Sequence, residues 1–149
     1  MISSFAGKYR WLSNFFESPV VYEVMTFPSV EAEFQAAKTT DRLKRLSFCG
    51  NIRPNQAKAM GRQLELRSDW EEVKNQVMLD CLRNKFAAGT ILAQLLMDTG
   101  KEPLKEGNTW HDNTWGDCKC ERCANIRGEN RLGKLLMQVR DELNASQSN

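Results

Sequence analysis

The chain has 149 residues, 41% of them hydrophobic and 27% charged, the balance of a soluble protein long enough for one substantial core. A formal charge of +2 gives no global field to draw nucleic acid, so such a contact would need a local patch. No apolar run approaches a bilayer span, MISSFAGKYR has no signal-peptide core, and an odd set of five cysteines with three in CKCERC is a poor disulfide framework, which points to a reducing cytoplasm.

Residues 3–7 and 19–25 read as short strands, the second rich in β-branched and aromatic residues (Val20, Val21, Tyr22, Val24) and opened by Pro19. Between them KYRWLSNFFES has aromatic residues without a clean period and reads as a structured loop, with Trp11, Phe15 and Phe16 either in the core or one of them stacking on the planar ring of a ligand. Phe27-Pro28 then forces an extended residue, and Ser29 is placed to cap a helix through SVEAEFQAAK. On that helix Glu31, Gln35 and Lys38 fall at i, i+4 and i+7, along one stripe. An acid, an amide and an amine so placed either line a polar cleft or form a solvated face.

Residues 42–53 carry no clear element. Pro54 opens a helix over NQAKAMGRQ. Ser68 and Glu71 make a capping-box pattern for the longest helix, whose apolar positions are Trp70, Val73, Val77, Cys81, Leu82 and Phe86, with Gly89 as its stop. Thr90 caps the next helix, with Leu92, Leu95 and Leu96 inward and Gly100 past its end. Residues 101–129 form a long irregular region in which polar turn formers alternate with large aromatics, the pattern of an ordered loop. Asn130 caps a last helix that runs to about Leu143 on Leu132, Leu135, Leu136 and Val139, and a frayed polar tail follows from about residue 144. The expected fold is α+β: one mostly helical domain over residues 1–149, with a small antiparallel sheet.

Several segments recur together in a known family. WLSNF at 11–15, SVEAEFQAAK at 29–38, Ala57 to Gly61 with Arg62, Trp70, Lys85-Phe86, Thr99-Gly100 with Leu104 and Glu106, Asp112-x-x-Trp115-Gly116, and Asn130-x-Leu132-Gly133 leading to Leu136-Met137 and Arg140 stand in order at compatible spacing. On these the chain resembles the YbiA-like family, also called NADAR proteins, over nearly its whole length. The resemblance implies a YbiA-like fold and an N-glycosidase activity. Two substrate classes are implied: ribosylamino-pyrimidine phosphates of riboflavin biosynthesis, and ADP-ribose attached to guanine of nucleic acid. A catalytic lysine amine is implied as well.

In both classes the ribose anomeric carbon carries an exocyclic amine that keeps a hydrogen, so the sugar can open to an imine and a lysine can exchange into it. Lys38 is the expected nucleophile and Glu31 the proton carrier. A carboxylate nearby favours the ammonium form, so desolvation or a cation such as Arg10 must offset it. A direct oxocarbenium path with Glu31 stabilising charge is the alternative. Gln35 either contacts a ribose hydroxyl and orients Glu31 or is a surface helix former. Ser13 and Asn14 either hold phosphate or ribose or make a turn. Asp112, Trp115 and Gly116 form a second cluster, for a stacked and edge-bonded base or for packing the loop. Asn130, at a helix N-terminus, is expected to help receive a phosphate, with Arg10, Lys134 and Arg140 as candidate partners. The expected partner is a nucleotide-like small molecule or ADP-ribosylated nucleic acid, with no membrane and no cofactor. A non-catalytic ADP-ribose or nucleotide-binding module is the reading from a different class, and it would not need Lys38 or Glu31.

Cys118, Cys120 and Cys123 form C-x-C-x-x-C. Zinc would need a fourth ligand, His111 or Cys49, whereas reduced thiols in a loop need none. The spacing is no paired-knuckle pattern, and no metal is assigned from it.

Overall fold

A computed structural model describes residues 1–147. The fold is α+β and predominantly helical. The chain forms two compact units. One takes residues 14–85 and is called here the mid-chain unit. The other joins residues 1–13 to residue 86 onward and is called the two-segment unit.

In the mid-chain unit, β1 (Val20–Tyr22) and β2 (Met25–Phe27) pair antiparallel, with Val20 opposite Phe27 and Tyr22 opposite Met25. The sequence predicts one strand across 19–25, and the chain instead reverses at Glu23 and Val24, whose φ values are 48° and 61°. Two consecutive positive φ values are the signature of a two-residue hairpin turn, usually marked by Asn or Gly. Here the marker is missing, and β-branched Val24 takes the left-handed conformation while 88% exposed.

Helix α1 (Val30–Ala36) starts where expected: Ser29 Oγ accepts the Ala32 N–H at 3.1 Å. It packs against α2 (Arg42–Leu46), α3 (Pro54–Gly61), α4 (Trp70–Lys85) and the hairpin. All seven of its residues are buried. α2 occupies part of the stretch that the sequence leaves undefined, and Asp41 caps it by accepting from Leu43 and Lys44. α3 starts at Pro54 as predicted. α4 begins one residue later than a Ser68 cap implies, because the Asp69 carbonyl accepts the Val73 N–H at 3.1 Å. Trp70 is core, tilted on Phe34 with ring centroids 5.1 Å apart.

In the two-segment unit the first residues do not form the predicted strand over 3–7. Ile2 makes a lone parallel bridge to Leu104, donating to Pro103 O at 2.9 Å and accepting from Lys105 N at 2.8 Å. Gly7, at φ 58°, then turns the chain into a 3₁₀ helix, Gly7–Leu12. This short helix buries Leu12, while Trp11 is half-buried and meets Phe86 edge-on. In the mid-chain unit Phe16 is half-buried and Phe15 is 42% exposed, so the core reading of the aromatic trio was too generous.

Thr90 caps α5 (Ile91–Asp98) as predicted. Leu96 and Ala93 face inward, and Leu95 is exposed. β3 (Gly107–Asn108) and β4 (Asp117–Cys118) form a two-residue parallel ladder that the sequence does not announce. Helix α6 (Arg131–Gln147) packs on α5 through Leu132, Leu136, Val139 and Leu143. It continues to Gln147 where the sequence suggests fraying from about residue 144, and residues 148–149 lie outside the described part.

Candidate active site

The polar stripe of α1 is buried. Glu31 is 7% exposed and Gln35 5%, so these two side chains are not a solvated face. Gln35 Nε2 donates to Glu31 Oε1 at 2.8 Å. The carboxylate settles which way this amide points, since an amide oxygen facing it would be repelled. Gln35 Oε1 is left buried without a hydrogen-bond partner, and so is Asn14 Oδ1. Unpaired buried acceptors cost roughly 1–3 kcal/mol each. Asn14 is tied to the same helix, its carbonyl accepting the Glu31 N–H at 3.1 Å, while its Nδ2 rests on Met78 Sδ.

Gly61, the last residue of α3, makes room for this arrangement. A Cβ there would overlap the Gln35 amide.

Lys38 stands just past the helix rather than on it. α1 ends at Ala36, and Lys38 and Thr39 turn in 3₁₀ fashion, donating to Gln35 O at 3.2 Å and Ala36 O at 3.3 Å. The Lys38 carbonyl accepts the Arg67 N–H at 2.8 Å, which pins this turn. Desolvation holds the half-buried amine below the ordinary lysine range. The Glu31 charge works against that shift, and Arg62 and Lys58 add to it. The cations facing the amine within this unit are therefore Arg62 and Lys58, on or beside α3. An amine held below its ordinary pKa near an acid is the arrangement that amine nucleophiles use.

Two residues here escaped the sequence reading. Glu33 lies on the opposite face of α1, is 3% exposed and accepts from Asn84 Nδ2 at 3.2 Å. Desolvation raises its pKa, and hydrogen bonds from Cys81 and Asn84 oppose the rise. It lines a small separate pocket with Tyr22, Arg45, Arg67 and Cys81. Lys85, at the end of α4, is 4% exposed with its ammonium 5.6 Å from the Phe16 ring centroid. Burial brings its pKa down to about 7. The E-x-E spacing of α1 does place the two carboxylates on opposite faces, but no local pattern says that both faces are covered.

The remaining candidates belong to the two-segment unit. Arg10 is exposed and Ser13 half-buried on and after the 3₁₀ helix. Asp112 Oδ1 accepts the N–H groups of Thr114 and Trp115 at 3.1 and 2.9 Å, closing a turn. Trp115 is half-buried, and its carbonyl accepts the Leu132 N–H at 3.0 Å. Gly116 is buried where any Cβ would strike Glu106 and Asn108. Asn130 takes φ 50° and gives its side chain to other loops rather than to its own helix: Oδ1 accepts from Glu106 N at 2.9 Å and Nδ2 donates to Leu104 O at 2.9 Å. Arg140 is buried and donates to Thr99 Oγ1 and Glu102 O, a structural use.

The chain matches the NADAR domain family model over residues 4–144. It is 39% identical to the N-glycosidase YbiA of Shigella flexneri over 142 residues, covering 94% of this chain and 85% of that protein. It is 33% identical to a riboflavin biosynthesis protein of Vibrio vulnificus, covering 89% of this chain and 35% of that longer one. The NMR structure of the Escherichia coli protein YbiA superposes with a TM-score of 0.84 at 35% identity, over 99% of this chain and 86% of that one. This chain belongs to the NADAR domain family.

Proposed function

We propose that this protein, a hydrolase of N-glycosyl bonds, cleaves ribosylamines, in which the ribose anomeric carbon carries an exocyclic amine of a base. Lys38 is the proposed nucleophile and Glu31 the proposed proton carrier. The observation that carries the reading is the buried Glu31–Gln35 pair beside a lysine held below its ordinary pKa, with a buried acceptor left open on Gln35.

The steps balance without any added reagent. The exocyclic nitrogen lone pair expels the ring oxygen, which takes a proton from Glu31, and an iminium forms at the anomeric carbon. Neutral Lys38 adds to that carbon. A proton passes to the base nitrogen, the free base amine departs, and a lysine Schiff base remains. Water, deprotonated by Glu31, adds to the Schiff base, and expulsion of the amine returns Lys38 and yields the free sugar. A nucleoside bonded through a fully substituted ring nitrogen cannot open to a neutral imine, and its lone pair, held in the ring π system, expels the ring oxygen poorly. Gln35 fixes the carboxylate through its Nε2, which donates to Glu31 Oε1.

The substrates to offer are an ADP-ribosyl-guanine in DNA and a ribosylamino-pyrimidine phosphate. The names of the relatives support an N-glycosidase reading, and the Vibrio vulnificus protein's name favours including the second substrate. The test is borohydride reduction during turnover. The expected result is a reduced sugar adduct on the peptide containing Lys38, with base release abolished in Lys38→Ala and Glu31→Gln. Normal turnover by a folded Lys38→Ala variant would overturn the assignment.

A further inference from the structure

We propose that His111, Cys118, Cys120 and Cys123 bind one zinc ion in a closed tetrahedral site that holds the loop over residues 111–123. Their four ligand atoms lie within 4.8 Å of one another. His111 Nδ1 stands 3.3 Å from Cys120 Sγ, 3.5 Å from Cys123 Sγ and 3.9 Å from Cys118 Sγ. Cys118 and Cys120 Sγ are 3.4 Å apart.

Those spacings match a coordination sphere. A tetrahedron with zinc–sulfur bonds of about 2.3 Å and a zinc–nitrogen bond of about 2.0 Å has edges of about 3.5 to 3.8 Å. A disulfide would need sulfurs at about 2.05 Å, and these cysteines are free. A disulfide would also leave one thiol and the imidazole pointing at each other without purpose.

The chain brings the donors together by separate local devices. Asn108 Oδ1 accepts the N–H groups of Trp110 and Asp112, both at 3.2 Å, and spans the turn in which His111 takes φ 69°. Asn113 Oδ1 accepts the Cys118 N–H at 2.9 Å. A single 3₁₀ turn, Glu121–Cys123, returns the third sulfur. Cys118 and Cys123 are each 4% exposed, so two thiols are buried facing a third thiol and an imidazole. Soft thiolates in a tetrahedral set select zinc over harder divalent ions. Four protein ligands leave no open position, so the ion's role is structural and the site takes no part in bond cleavage. Cys49, the other fourth-ligand candidate from the sequence, belongs to the mid-chain unit and is not in this set.

The experiment uses untagged, reduced wild-type protein prepared without added metal. Elemental analysis is expected to find close to one zinc per chain, and Cys120→Ser or His111→Ala to lose that equivalent. Ligand variants can fail to fold, so a second measurement uses the wild type alone. Zinc is stripped with a chelator at low pH, and cobalt(II) is added after neutralisation. One equivalent should give the thiolate charge-transfer and tetrahedral d–d absorption of a cobalt–sulfur site, bleached by one equivalent of zinc. Folded, reduced protein that carries no zinc and develops no such absorption with excess cobalt would overturn the proposal. The readouts are metal content and colour, so they are independent of whether Lys38 is the nucleophile.

Discussion

Lys85 shows what burial does to a single charge. It is buried beside the Phe16 ring, and desolvation lowers its pKa from 10.5 to about 7. In the unfolded chain the same amine keeps its proton to the ordinary lysine value. At low pH both states are protonated, and the folded state carries the cost of holding an ammonium in a desolvated place. Between about 7 and 10.5 the folded state has released its proton and the unfolded state has not, so stability gained from this group rises with pH. Lys85→Met keeps the length and removes the charge. It should stabilise the protein most at about pH 6, and its advantage should shrink by about pH 9. Urea midpoints of both proteins at the two pH values give the measurement. Reading the difference matters, because buried Cys81, whose thiol is pushed well up, makes the opposite contribution: stability lost as pH rises. A gap that stays constant with pH would mean that Lys85 is charged in the folded protein. Lys38 follows the same sign, the direction that the proposed nucleophile requires.

At the scale of elements, α1 is shaped by what surrounds it. The missing side chain of Gly61 leaves the space that the Gln35 amide fills, and the amide in turn holds Glu31. Gly61→Ala should therefore push Gln35 out of line. Overpacking of this kind costs roughly 1–3 kcal/mol, and if that energy falls on the aligned carboxylate, kcat should drop about tenfold or more. The check is kcat beside a denaturation curve: an unchanged kcat in a stable Gly61→Ala protein would show that Gln35 alignment is idle. The Ser29 cap, the Pro54 start and the Thr90 cap were legible because each is a local bargain between a side chain and nearby backbone. The burial of Glu31 and Gln35 was not, since it depends on α3 and α4 arriving from later in the chain. The hairpin was missed because Glu23 and Val24 carry none of the usual turn chemistry. The three cysteines were visible as a group, with His111 as one of two possible partners. Choosing His111 took the left-handed turn at that residue, which the sequence does not mark.

For the whole molecule, the two-segment unit ties the first residues of the chain to a stretch about a hundred positions later. Sequence periodicity reports only neighbours, so nothing in residues 1–5 foretold the bridge from Ile2 to Leu104. Such pairings are costly to close and contribute only once made. Phe5 is 8% exposed in this unit, whereas Phe15, ten positions on in the other unit, is 42% exposed. The two residues are the same in type and similar in sequence context, and only the fold distinguishes them. Phe5→Ala should cost about 3–5 kcal/mol, the usual range for truncating a buried aromatic, which is a large part of a typical total of roughly 5–15 kcal/mol. Phe15→Ala should cost no more than about 1 kcal/mol, since the residue is 42% exposed and its ring meets the Lys58 ammonium at the surface. Chemical denaturation of the two variants should show a lowered midpoint for Phe5→Ala, with the slope unchanged if unfolding stays cooperative. A Phe5→Ala loss as small as the one expected of Phe15→Ala would mean that the buried Phe5 ring contributes little to the stability of the unit it joins.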